Sequence, residues 1–162
     1  MKVQYSIPDA TPVRLRELTE DQVNSILLSQ AFGRLACTDG NTPYIVPITY
    51  AYDGKYIYGQ TNEGTKLEMM RKNPAVCFEV DRITDMRDWK SVIIYGKFEE
   101  LNGEAAEEAR TKFFGRLFPL TTRNSVHPFQ HEVTEVPDDE KRIKNFMFRI
   151  KIETITGRFS KP

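Results

Sequence analysis

Hydrophobic positions near the start of the chain follow a helical spacing, which changes to alternation after Gly33. Thr19 and Gln22 match the capping box that often begins a helix. The apolar positions that follow at helical spacing are Val23, Ile26 and Leu27. The pattern therefore predicts a short amphipathic helix that ends near Gln30.

Six later segments have the alternation or the short apolar runs of β-strands. These segments are residues 35–37, 44–52, 55–60, 75–80, 91–101 and 146–152. Asp53 and Gly54 form a strong signal for a two-residue turn, so the third segment is expected to return antiparallel to the second. Six antiparallel strands in a chain of this length favour a barrel, because closure removes exposed sheet edges.

Two further helices and a long loop complete the predicted elements. Residues 64–72 form a brief helix that Pro74 ends, because proline cannot continue the helical hydrogen bonds and disfavours helical geometry at the residue before it. Residues 104–117 have a helix-forming composition and oppositely charged pairs at helical spacing. A long loop is expected over residues 120–141.

The distribution of proline and glycine indicates one domain preceded by an arm. Both residue types are scattered as turn residues, no linker is evident, and no internal repeat occurs. Residues 1–17 have little periodicity and are expected to form an extended arm on the body or on a partner. We predict a single domain over residues 18–162, mainly β (α+β), with a six-stranded antiparallel barrel and peripheral helices.

Composition and charge narrow the classes of function. Of the 162 residues, 40% are hydrophobic and 28% are charged, which is typical of a globular protein. Lys plus Arg and Asp plus Glu both number 23, so no net field would attract nucleic acid or an anionic membrane. No apolar run has the length of a membrane helix, and the two cysteines lack CxxC spacing. We therefore expect a cytoplasmic protein without nucleic-acid or membrane partners.

Familiar catalytic motifs are absent from the sequence, which contains no GxSxG, HExxH, P-loop or GxGxxG pattern. His127 and His131 have the spacing of two metal ligands on a helix, but Pro128 interrupts a helix there and no third ligand accompanies them. We predict no metal site and interpret both as loop residues, with haem ligation by one of them as an alternative. The sequence assigns no catalytic residue.

The segment QTNEGTKLEMMRKNP places polar groups where a predicted strand ends and a helix begins. Unpaired backbone N–H groups and the positive end of the helix dipole favour a phosphate at such a place. Thr65 and Lys66 add a hydroxyl and an ammonium, and Gly64 precedes them. An ordinary helix cap would use the same residue types, so the motif by itself leaves both interpretations open.

Pro47 interrupts a strand that otherwise alternates well. Since proline has no N–H to donate to a ladder, the pairing near residues 46–49 must lie at a sheet edge or face something other than a strand. Backbone groups there could bind a planar polar ligand. An ordinary edge proline is the alternative.

The order and spacing of these features resemble a known family. The run FGRLACTDGNTPYIVPITYAYDGKYIYGQTNEGTKLEMMRKNPAVCFEVD, with SVIIYGKFEEL after it, resembles the pyridoxamine 5′-phosphate oxidase-like FMN-binding split barrels. Within them it is most similar to the nitroimidazole-resistance type of flavoprotein, and the similarity spans Leu18 to Leu101. The resemblance implies a homodimer with FMN at each of two subunit interfaces.

The resemblance also implies three groups of cofactor-binding residues. Those matching the strand beside the isoalloxazine and ribityl chain are Val46, Pro47, Ile48 and Thr49. Those matching the next strand end and the phosphate-binding helix start are Gln60, Thr61, Gly64, Thr65 and Lys66. Those matching the segment of the opposite subunit that covers the flavin are Trp89, Lys90, Ser91 and Val92. The oxidases typically carry an Arg-Lys pair where this chain has Thr-Lys, so the choice between FMN and another flavin such as FAD stays open.

The end of the chain bears on the activity that the resemblance implies. The substrate-binding motif of the oxidases, an Arg together with a His near the end of the chain, is absent from IETITGRFSKP, so oxidation of pyridoxamine phosphate is not expected. The resemblance implies instead an FMN-dependent oxidoreductase that passes electrons from reduced flavin to a small acceptor, such as a nitroimidazole-type nitroaromatic. The alternatives are a flavin-binding or sensing protein without turnover and a haem-binding split barrel. The sequence identifies neither the electron donor nor the physiological acceptor.

Overall fold

A computed structural model describes residues 15–121 and 145–160 of the chain, which form three helices and eight strands. The helices are α1 (Glu20–Ser29), α2 (Thr65–Lys72) and α3 (Gly103–Thr121). The strands are β1 (Arg16–Glu17), β2 (Phe32–Thr38), β3 (Pro43–Thr49), β4 (Ala51–Tyr52), β5 (Tyr56–Asn62), β6 (Ala75–Ile83), β7 (Trp89–Leu101) and β8 (Asn145–Ser160). They form one antiparallel sheet in the order β3-β2-β6-β7-β8-β5-β4, with β1 paired to β8.

The predicted split barrel with peripheral helices is confirmed, with two short strands in addition to the six predicted ones. β1 lies at the end of the predicted arm and pairs with the last residues of β8. β4 is the end of the predicted second strand, which breaks at Tyr50. The rest of the predicted arm, residues 1–14, lies outside the described residues, as do His127 and His131.

The predicted pairing of the third segment with the second is wrong for most of its length. β4 pairs with β5 only through Ala51 and Tyr52, and the whole of β5 lies against β8. The cause is a bend at Tyr50, whose N–H donates to the carbonyl of Ala31 and whose hydroxyl donates to the carbonyl of Leu27 at 2.7 Å. The chain leaves β2 at this bend, so β3 stays beside β2 while β4 turns to β5.

The inner face of the curled sheet carries the main core. Its fully buried side chains include Leu35, Phe78, Val92, Ile94, Phe148 and Ile150. α1 and α2 also bury their apolar positions in this core, among them Leu27 and Leu67. Full burial of each large apolar side chain stabilises the fold by about 1.5–3 kcal/mol.

The predicted capping box holds the start of α1. The Thr19 N–H donates to the Gln22 side-chain oxygen at 2.9 Å, and the Gln22 N–H donates to Thr19 Oγ1 at 3.3 Å. The Leu18 N–H donates to the carbonyl of Gly157 at 2.9 Å, which ties the entry of the helix to β8. α1 therefore begins at a fixed place over the core.

The outer face of the sheet is covered over one half only. α3 packs on the half around β4, β5 and the β7–β8 pair, where Ala109 and Phe113 join a second apolar cluster. No described element covers the outward side chains of β3, β2, β6 and the first half of β7, and we call this area the open sheet face. Its exposed large side chains include Phe32 (66% exposed), Ile45 (64%), Ile83 (67%) and Tyr95 (52%).

Candidate cofactor site

β3 is the edge strand at one end of the sheet, as Pro47 predicts. Pro47 lies opposite Arg34 of β2, which pairs with one edge of β3. The other edge of β3 has no hydrogen-bonded strand beside it among the described strands. Ile48 faces the core and Val46 packs against it, so Pro47 and Thr49 face outward on the open sheet face. The strand therefore offers free backbone groups along its outer edge, as both interpretations of Pro47 require.

The start of α2 leaves backbone donors free. Gly64 precedes the helix with φ 152°, a conformation that residues with a side chain rarely adopt, and it makes no side-chain cap. The first helical hydrogen bond runs from the Glu68 N–H to the carbonyl of Gly64 at 3.0 Å. The N–H groups of Thr65, Lys66 and Leu67 have no acceptor in residues 15–121 and 145–160. These donors and the helix dipole together favour an anion.

The Lys66 side chain adds a positive charge that lacks a partner. It is half-buried, and burial lowers the pKa of its ammonium, although the nearby Cys37 raises that pKa to a smaller extent. No carboxylate in the described part of the chain lies within 4 Å of it. Burial likewise raises the pKa of the Cys37 thiol, whereas the nearby Lys66 ammonium lowers it to a smaller extent. A half-buried ammonium without an anion costs free energy, which an anionic ligand would recover.

The start of β3 lies close to α2. α2 packs on β2 through Met69, whose sulfur is 4.0 Å from the sulfur of Cys37, and Cys37 pairs with Tyr44 of β3. β3 and β5 also come within 8 Å between Cα atoms. Gln60 and Thr61 lie near the end of β5, just before α2, and Thr61 is buried. α2 therefore lies beside the start of β3 and follows directly on Gln60 and Thr61, whereas residues 46–49 form the later part of β3.

The remaining predicted residues, Trp89 to Val92, lie in a different part of the sheet. They begin β7, which β2 and β6 separate from β3. At about 4.8 Å per strand, that separation is roughly 14 Å along the sheet. Val92 is fully buried in the core, whereas Ser91 faces outward on the open sheet face. A single chain therefore does not bring this segment to its own β3.

Arg34 and Glu79 are not predicted from the sequence, yet they join Ser91 in a polar network on the open sheet face. The Ser91 hydroxyl donates to Glu79 at 2.9 Å, and Arg34 donates to Glu79 at 3.0 Å and to Asp81 at 2.7 Å. The hydrogen bond with Glu79 is the main reason that the pKa of Arg34 is raised. The alternation could have placed each of these residues on the outward side of its own strand, but it does not tell that the three strands are neighbours.

Two negative findings apply to residues 15–121 and 145–160. They contain no group of three or more His, Cys, Asp or Glu residues placed to hold a metal ion. None of their helices combines the length and the apolar character that crossing a membrane requires.

Solved structures of other proteins share this fold. A FAD-binding protein of Mesorhizobium loti is 30% identical and has a TM-score of 0.73, with 93% of this chain and 99% of that chain covered. A candidate 5-nitroimidazole antibiotic resistance protein of Bacteroides thetaiotaomicron has a TM-score of 0.67 over 91% of this chain and 88% of that chain. It is only 18% identical, so this second likeness is one of fold alone.

Sequence comparison gives the family. A curated relative, an uncharacterized protein of Rhizobium meliloti, is 36% identical over 87 residues, which are 54% of this chain and 58% of the relative. The match thus spans little more than half the length of that relative. Residues 19–159 match the family described as pyridoxamine 5′-phosphate oxidase. The chain belongs to the pyridoxamine 5′-phosphate oxidase family.

Proposed function

We propose that the protein is a homodimeric flavoprotein that binds a flavin nucleotide along β3, with its phosphate at the start of α2, and passes electrons to a small acceptor. The observation that carries the proposal is the free start of α2 beside the half-buried, unpartnered ammonium of Lys66. Membership of the family and the likeness to a FAD-binding protein support a flavin as the ligand.

The residues present fit one phosphate group. Three free backbone N–H groups and the Lys66 ammonium supply donors of the right type, and Thr65 adds an exposed hydroxyl. Gly64 has open space around the position of a Cβ, so a ligand could approach the backbone there. This single-phosphate set favours FMN, whereas FAD would bring a second phosphate that the described residues at this place do not match with another cation.

The open sheet face supports a second copy of the chain as the partner. It exposes Phe32, Ile45 and Tyr95, and contact with another sheet would remove this apolar surface from water. Ser91 lies on the same face but roughly 14 Å along the sheet from β3 of its own chain. A second copy is therefore needed to bring its Trp89–Ser91 segment to the flavin held by the first.

The chain's own residues would bind, orient and shield the cofactor. The flavin supplies electron transfer when it is bound, which agrees with the absence of a familiar catalytic motif from the sequence. β3 would lie along the ring with its free edge, and α2 would fix the phosphate. The apolar side chains of the open sheet face would keep water from the shared pocket once two copies meet.

An absorbance spectrum of the purified protein tests the ligand class directly. We expect flavin bands, and chromatography of the released cofactor distinguishes FMN from FAD. Protein that neither contains flavin nor binds added FMN or FAD would refute the proposal, and a Soret band would favour the haem alternative. Oxidation of NADH or NADPH with a nitroimidazole as acceptor tests turnover, and bound flavin without any turnover would indicate a binding or sensing role.

Trp89 provides a test of the shared site, because it is the only tryptophan of the chain. Flavin bound beside the partner's Trp89 is expected to quench its fluorescence, and sedimentation is expected to show a dimer at micromolar concentration. A monomer that binds flavin would refute the shared site. Unquenched emission from a flavin-loaded dimer would remove Trp89 from it.

A further inference from the structure

The polar network on the open sheet face fixes the direction of one hydroxyl. Ser91 Oγ donates to Glu79 Oε1 at 2.9 Å, and Glu79 Oε2 accepts from Arg34 Nη1 at 3.0 Å. The same Arg34 nitrogen donates to Asp81 Oδ2 at 2.7 Å. Ser91, Glu79 and Arg34 stand on β7, β6 and β2, which are adjacent strands, so the sheet itself sets their separation.

This arrangement makes Ser91 an acceptor toward anything that docks on the face. A serine hydroxyl has one proton and two lone pairs, and here the proton is directed at Glu79. The lone pairs remain available, and the neighbouring carboxylate polarises them. Arg34 holds the carboxylate in place, because a guanidinium can only donate hydrogen bonds.

We infer that Arg34 and Glu79 are positioning residues that present the Ser91 hydroxyl as a hydrogen-bond acceptor to the flavin ring held by the partner subunit. The inference rests on the proposed function, since it takes the flavin and the shared site from there. The oxidised isoalloxazine carries an N–H group, which is the donor that such an acceptor fits. The phosphate plays no part in this contact, so the effect should be the same for FMN and for riboflavin.

Substitution of Glu79 by glutamine would reverse the direction of the hydroxyl. Arg34 would require the amide oxygen of Gln at position 79 as its acceptor, because it cannot accept from the amide NH₂. The NH₂ group would then face Ser91 and donate to it. The Ser91 proton would then point outward, toward the N–H of the flavin. Two donors would face each other and no hydrogen bond could form between them.

Glu79→Gln is expected to fold, because the network is open to solvent in a single chain. The Arg34 side chain is 51% exposed and that of Glu79 is 24% exposed. Ion pairs of this kind contribute about 0–1 kcal/mol to stability. The melting temperature of the variant therefore serves as a check on folding, separate from binding.

The positioning role is tested by measuring the dissociation constants of FMN and riboflavin for the wild type, Glu79→Gln, Ser91→Ala and the double variant. We expect Glu79→Gln to weaken both ligands by about tenfold, and Ser91→Ala to add no further loss in the Glu79→Gln background. Asp81→Asn is the matched control, since Asp81 lies opposite Ser91 and binds the same guanidinium but makes no hydrogen bond to the Ser91 hydroxyl. We expect it to change either constant by no more than about twofold.

Each outcome distinguishes this inference from the proposed function. A wild-type protein that binds no flavin would refute both. Flavin binding that is normal in the wild type and unchanged in Glu79→Gln would refute the positioning role alone. Equal losses in Glu79→Gln and Asp81→Asn, or fully additive losses in the double variant, would show a general charge effect and would also overturn it.

Discussion

Replacing Lys66 by alanine separates cofactor binding from folding, because the Lys66 ammonium has no partner to lose in the described part of the chain. Burial lowers the pKa of this group, which means that the folded chain without ligand pays to hold it charged. The charged Lys66 therefore destabilises the folded apoprotein at neutral pH, because the unfolded chain binds the proton more tightly. This destabilisation disappears only as pH rises toward 10.5, where the group loses its proton in both states. Lys66→Ala is therefore expected to leave the melting temperature of the apoprotein unchanged or to raise it.

The effect on binding should be large and specific to the phosphate. A hydrogen bond between charged groups contributes about 1.5–3 kcal/mol, so its loss should weaken FMN binding by roughly 10- to 150-fold. Riboflavin lacks the phosphate, and its dissociation constant should stay the same. Flavin fluorescence titrations of the wild type and Lys66→Ala with both ligands measure the two effects side by side.

Lys72→Ala is the matched control, because Lys72 lies on the same helix in its exposed last turn. It should change FMN affinity by no more than about twofold, whereas Thr65→Arg, which adds a second cation at the helix start, should tighten it. The reasoning would be refuted by an unchanged FMN affinity in Lys66→Ala. An equal loss for FMN and riboflavin would also refute it, because that result would indicate a damaged fold.

Three further predictions concern the dimer, the turn before β5 and Gly96, where the register of β7 against β8 shifts. Phe32→Glu should shift sedimentation from dimer to monomer, whereas Leu28→Glu, at 52% exposure on α1 away from the open sheet face, should not. Burial alone would raise the pKa of Asp53, but hydrogen bonds from two turn N–H groups and from Lys112 of α3 lower it to about 2. Asp53→Asn should therefore lower the melting temperature above pH 4, and the difference from wild type should shrink as pH falls toward 2. Gly96→Ala should destabilise the fold by about 1–3 kcal/mol in denaturant titrations, since its Cβ would lie 2.3 Å from a carbonyl oxygen of β8, whereas Gly115→Ala on the exposed face of α3 should be neutral or stabilising.

Local patterns in the sequence predict the elements of this fold but not all of their neighbours. The capping box at Thr19 and the alternation of the strands depend on residues close in the chain, and the structure has both. The partner of β5 depends on a contact between distant segments, in which Asn62 meets Asn145. Alternation tells which side of a strand is buried, yet it is silent on which strand lies next to it. The bend at Tyr50 decides this, and its hydrogen bonds to the end of α1 are tertiary.

The candidate site divides in the same way. Pro47 indicates a sheet edge because of its missing N–H, and Gly64 with Thr65 indicates a helix start, so local chemistry was enough for both. The lack of a partner for Lys66 is visible only when the surrounding strands are in place. The contact between Ser91 and Glu79 depends on the register of β6 against β7, which no local pattern specifies.

The uneven covering of the sheet explains how a small barrel with a filled interior could hold a cofactor. Its inner face is filled by side chains and by α1 and α2, and α3 covers half of its outer face. Among the residues that the structure describes, the open sheet face and the free edge of β3 stay uncovered, and neither encloses a ligand by itself. Under the proposed function, the flavin and the second copy would therefore share one surface, with α2 of one chain holding the phosphate and Ser91 of the other facing the ring. Binding of either would favour binding of the other, because each supplies contacts that the other lacks when alone.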